Sequence, residues 1–138
     1  MRVIIHKRIE DDLAVLVDWR RLEPYWQRDC TPQPNRSELI DKYSQHWINR
    51  WNGLNYFTIP EIGWNDKYKS VAFSNGRNRT ALITKFQYMI PVAICDKDLS
   101  HEEISAAIIS NLNEGDYVDI PDLEFLTEND WKKIRMRN

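Results

Sequence analysis

The stretch "FSNGRNRTALITKF", residues 73 to 86, concentrates groups able to hold an anion. Ser74, Asn75, Arg77, Asn78, Arg79 and Thr80 surround Gly76 in a chain with only four glycines. The preceding run "KSVAFS" has the apolar character of a buried strand, and the following residues have helical spacing. A helix start leaves about four backbone N–H groups without intrahelical acceptors and carries partial positive charge. Glycine there lets an anion approach the backbone, and arginine forks suit phosphate oxygens. The same residues also serve as ordinary capping and turn formers, with solvated arginines; spacing alone leaves both readings open.

These residues belong to a chain of 138 residues with 42% hydrophobic content and a net charge of −2, long enough for one core. No apolar run approaches the roughly 18 residues of a membrane span. "MRVIIHKRIEDD" lacks the pattern of a secretory signal. Cys30 and Cys95 lack metal-ligand spacing, and with no export signal they fit a reducing compartment. The expectation is a cytoplasmic protein without membrane insertion.

Charge is unevenly distributed. Residues 65–90 carry Lys67, Lys69, Arg77, Arg79 and Lys85 against Asp66, whereas residues 96–130 carry eleven acids against Lys97 alone. Such asymmetry predicts one face that accepts anions and one that repels them, or else plainly solvated surfaces.

The elements that must position the turn are read as follows. "MRVIIHKR" and "LAVLVDW" are short strands separated by an acidic turn. Ile40, Tyr43, Trp47 and Trp51 recur at helical intervals, predicting a helix from Ser37 to about Trp51 that ends at Asn52-Gly53. "YFTIPEIGW" is read as one strand bent at Pro60, and "IPVAICD" as a buried strand. The helix after Gly76 is expected to place Ala81, Leu82, Phe86 and Met89 on one side. Ser100 with Glu103, and Thr127 with Asp130, have the spacing of capping boxes, predicting two further helices, the first stopped at Asn113 to Gly115. The resulting order is β-β-α-β-β-α-β-α-α, a small mixed α/β domain.

"VAFSNGRNRTALITKFQYMIPVAI" resembles the signature of the ParB/sulfiredoxin-like superfamily, a strand, Gly-x-x-Arg turn, helix and "IPV"-type strand. Within it the chain looks most like the plasmid fertility-inhibition branch, which includes the oncogenic-suppression proteins and carries an F-x-(N/D)-G-R-H-R segment. The resemblance covers about residues 36–96 of a single domain spanning 1–138, leaving 97–138 as an expected acidic, helical tail. It implies that Gly76 and Arg79 contact nucleotide or DNA phosphates and that Arg77 matches the branch's first arginine. It further implies interference with conjugative transfer, with ATP and Mg2+ as cofactors if the chain hydrolyses ATP or DNA.

Asn78 replaces the branch's His, removing a group that titrates near neutral pH. Arg77 stands where sulfiredoxins hold their reactive Cys and where partitioning ParB proteins hold an acid, which argues against both activities. A metal-dependent nuclease would need carboxylates, for which Asp18, Glu61, Asp66, Asp96 and Asp98 are the strand-end candidates. His6, His46 and His101 are scattered. "RRLEPYWQRDC" mixes arginines with aromatics, and Arg28, Arg36 and Lys42 form a second set of candidate nucleic-acid contacts. The alternative function is a non-catalytic inhibitor or immunity-type protein docking on a conjugation or type IV secretion component, consistent with Asn78 and the acidic tail.

Overall fold

The computed structural model describes residues 1–26 and 48–121, and within helix 77–83 it leaves out the side chain of Asn78. Among the described residues nine strands form two sheets that share one core, and three short α-helices join strands along the chain. The chain is thus a mixed α/β domain, as its sequence predicts.

Strand β1 (Arg2–His6) carries Val3, Ile4 and Ile5, all buried, as expected of a strand packed on both faces. It is central in the first sheet, ordered β3-β4-β1-β9, parallel to β4 (Leu54–Thr58) and antiparallel to β9 (Tyr117–Asp119). The second sheet is ordered β6-β5-β7-β2-β8. Its centre is β7 (Met89–Ile94), where five consecutive residues from Ile90 to Ile94 are buried. Strand β7 runs antiparallel to β2 (Leu13–Asp18) and parallel to β5 (Glu61–Asn65). Strand β5 meets it only at Ala93 and Ile94, so Pro91, which has no N–H to donate, precedes that ladder.

Pro60 marks the change of sheet. Ile59 N–H still donates to the His6 carbonyl of the first sheet, at 3.0 Å. The next carbonyl, that of Pro60, accepts from Ala93 of the second sheet at 2.8 Å. "YFTIPEIGW" is therefore two strands in different sheets rather than one bent strand. A residue with fixed φ and no donor is well suited to this crossing.

Further expectations are corrected. Ile48–Trp51 is strand β3, paired antiparallel with β4, not the end of a helix. Asn52 (φ 50°) and Gly53 (φ 76°) make the left-handed two-residue turn that closes this hairpin. Asn-Gly stops a helix and turns a hairpin equally well, and cross-strand pairing decides. The rest of that predicted helix, including His46 and Trp47, lies outside the described residues.

The helix after His101 spans only Glu102–Ala107 (α3), and Ile108 turns extended to begin β8 (Ile108–Leu112) on the edge of the second sheet. No capping box forms: His101 is the N-cap, and Ser100 Oγ donates to the Lys97 carbonyl instead. With β9 pairing on β1, residues 108–112 and 117–119 are strands, so the part of the tail that is described is not uniformly helical. The Thr127 and Asp130 box lies outside the described residues. Met89, placed on a helix stripe by its spacing, is the half-exposed first residue of β7.

No helix among the described residues is long and apolar enough to cross a membrane.

Candidate functional site

Strand β6 (Ser70–Asn75) leads directly into helix α2 (Arg77–Ile83) through Gly76, as the sequence predicts. Gly76 has φ 89°, a left-handed conformation that side chains other than glycine's rarely adopt. It also has no room for a Cβ. Pro60 Cα and Cβ would each stand 2.7 Å from one, and Arg79 Nη2 would stand 2.8 Å away. The bare face of Gly76 thus seats the sheet-crossing proline and a guanidinium of its own helix.

Arg79 folds back under the turn. Its Nη2 donates to Asn75 Oδ1 at 2.7 Å, while Nε is sealed from solvent without an acceptor. No carboxylate among the described residues lies within ion-pair distance of it. Burial lowers the Arg79 pKa from its ordinary value and the charge of Glu61 partly offsets this; the group stays charged at neutral pH.

Arg77 takes a different course, lying over the rings of Phe73 (5.4 Å) and Trp26 (5.8 Å). Those rings belong to an aromatic cluster in which Trp26 meets Phe73 at 4.9 Å and Trp19 edge-on at 5.5 Å. Trp26 belongs to helix α1 (Glu23–Trp26). Thr80 is wholly buried and its hydroxyl donates to the Gly76 carbonyl, so it fastens the helix start rather than facing outward. Ser74 is exposed. The side chain of Asn78, and all of Arg28, Arg36 and Lys42, lie outside the described residues. Of the predicted set, the structure therefore gathers Asn75, Gly76 and Arg79 into one contact network, turns Arg77 onto aromatics and buries Thr80.

A groove of about 450 Å³ lies beside the turn, reaching Ser74 on β6, Glu61 and Gly63 on β5, and Asp98. Glu61 is buried, and both its oxygens accept from Arg8, at 2.6 Å from Nε and 2.9 Å from Nη2. This two-point pair holds Glu61 in its ladder position opposite Asn75. Asp12 also lines the groove, and burial together with the charge of Glu61 raises its pKa from the ordinary Asp value.

Of the five carboxylates singled out from sequence, only Glu61 and Asp98 share this groove. Asp18 pairs with Arg20, whereas Asp66 is exposed beside Lys69 and His101, and Asp96 is exposed. Among the described residues no three His, Cys, Asp or Glu side chains group as a metal site. Arg8 and Asp12 were not legible as site residues. Arg8 reads as the end of the first strand and Asp12 as part of the acidic turn, and nothing in the spacing ties Arg8 to a glutamate 53 positions away.

No family model, curated protein or solved structure matches the chain.

Two outcomes follow from this geometry. Gly76→Ala forces a left-handed alanine against Pro60, and is expected to cost at least about 1–2 kcal/mol in urea unfolding. Asp12→Asn should be more stable than wild type at pH 7. The raised folded-state pKa means that ionisation opposes folding as pH rises beyond the ordinary Asp range; below that range both states are protonated. Thermal unfolding at pH 3 and pH 7 checks this: the advantage of Asp12→Asn should vanish at the lower pH.

Proposed function

We propose that this domain binds a nucleotide or nucleic-acid phosphate at the corner between β6 and α2. The reading is carried by Arg79, a guanidinium held against the corner backbone with no carboxylate partner among the described residues. A partly buried positive charge with a single neutral acceptor is favoured by an added anion. The fork of Arg8 is already engaged by Glu61 and does not substitute for it.

The resemblance to plasmid fertility-inhibition factors supplies the biological half of the proposal: interference with conjugative transfer of competing DNA. ATP would offer its phosphates to the same corner. The described carboxylates do not group as metal ligands, so no step through Mg2+ is derived. Both oxygens of Glu61 accept from Arg8, so in this reading Glu61 serves as an anchor for Arg8 and the proposal is one of binding.

A second reading, a non-catalytic inhibitor that docks on a transfer or secretion component, is favoured by the β3–β4 hairpin. Trp51, 68% exposed, stands opposite the partly exposed Leu54 there. Large exposed apolar side chains of this kind suit a protein interface.

Calorimetric titration with ATP and with single-stranded DNA, each with and without magnesium, tests the first reading. Binding is expected, and Arg79→Ala should weaken it about 10-fold to 100-fold, in line with about 1.5–3 kcal/mol for a hydrogen bond to a charged group. Arg79→Lys, which keeps the charge, should lose less. Absence of heat from every ligand, or equal affinity in Arg79→Ala with unchanged circular dichroism, refutes the phosphate site.

A further inference from the structure

The groove beside β5 contains a second unmet charge, of opposite sign and independent of the corner. Asp98 closes the short 3-10 turn Asp96–Asp98 and is only 8% exposed. Its backbone is tied down on both sides, its N–H donating to the Cys95 carbonyl and its own carbonyl accepting from His101 N–H. Its carboxylate lies over β5 at Gly63. A Cβ at Gly63 would stand 2.8 Å from Asp98 Oδ2, so the missing side chain leaves the space the carboxylate fills.

Among the described residues, no donor or cation pairs with that carboxylate. Lys97 is exposed next to it in sequence, yet the two form no ion pair. The nearby Glu61 and Arg8 neutralise each other, and Asp12 adds a further acid to the groove lining. The groove lining therefore holds three acids, Asp12, Glu61 and Asp98, against Arg8 and Lys97, a surplus of one negative charge. The Asp98 oxygens are not sealed from water, and a largely buried carboxylate that lines a groove without a protein partner is favoured by a cation entering there.

We propose that this groove binds a small organic cation through Asp98, with a guanidinium group as the best fit. A carboxylate with two unpaired oxygens matches the two parallel N–H groups of a guanidinium fork. A bare divalent ion is a poorer match, since the described acids do not group around one point. The walls contributed by Ile9, Ile62 and Ala72 suit the short aliphatic stem that such a ligand carries.

The probes are methylguanidine and agmatine, titrated into the full chain and followed by amide chemical shifts and calorimetry. Saturable binding is expected, with shifts at Gly63 and Asp98. Asp98→Asn, which is isosteric and removes the buried charge without disturbing the fold, should weaken agmatine binding at least about 10-fold. Gly63→Ala, which displaces the carboxylate but keeps its charge, should weaken it too. No saturable binding of either guanidine at 10 mM, on the order of the weakest specific affinities, overturns the proposal. So does equal agmatine affinity in Asp98→Asn. Neither probe carries phosphate, so this outcome is separate from that of the ATP titration.

Discussion

The contact on which the site depends is Pro60 against the bare face of Gly76. Pro60 is where the chain leaves one sheet for the other, with its neighbour Ile59 bonded to β1 and its own carbonyl bonded to β7. Gly76 is where β6 stops and α2 begins. With about 2.7 Å separating Pro60 from the point a Cβ would occupy, no other residue fits without moving the crossing. The close approach brings Arg79 beneath the same turn. The corner is thus fixed by the joining of the two sheets, and its charge follows from which residue the helix places one turn in.

Along β5 the fold separates two unlike charges. Glu61 faces the Asn75 position and Gly63 faces Ala72, two residues further on, or about 7 Å along the strand. At the first position the charge without an opposite partner among the described residues is the Arg79 guanidinium, hydrogen-bonded to Asn75; at the second it is the Asp98 carboxylate. Between them the Arg8–Glu61 pair is internally compensated. Such a pair adds rigidity and register more than net stability, because its Coulomb gain is largely spent on desolvation. The Arg79 guanidinium and the Asp98 carboxylate thus come from different elements to different positions along this short strand without pairing with each other.

How much of this was legible in the sequence depended on the range of the signal. β1, β2 and β7 are built on continuous apolar runs, and their burial follows directly from composition, whereas β6, read as a buried strand, is buried only at Ser70 and Val71. The strand-glycine-helix join at Gly76 was equally readable. By contrast, Asn52-Gly53 signals an end without saying what ends, so β3 reads as the end of a helix in the sequence. The Ser100 and Glu103 pattern predicted a long helix, but Ile108 and its neighbours gain more by pairing with β2 than by continuing it. The Arg8–Glu61 pair and the cover of Gly63 by Asp98 are products of topology, and no local pattern carries them. Spacing also suggested that Gly76 keeps the backbone open to a ligand, whereas the space beside its Cα is filled by Pro60 and Arg79.

The claim that most needs testing is that the corner's charge is there for an anion and not only for packing. Amide chemical-shift mapping during titration with inorganic phosphate and ATP addresses it residue by residue. The account predicts saturable shifts centred on Asn75 to Thr80, with the Arg79 side-chain Nε–H signal moving as the anion binds. Shifts confined to other surfaces, or an Arg79 signal that stays unchanged while ATP binds elsewhere, would contradict it.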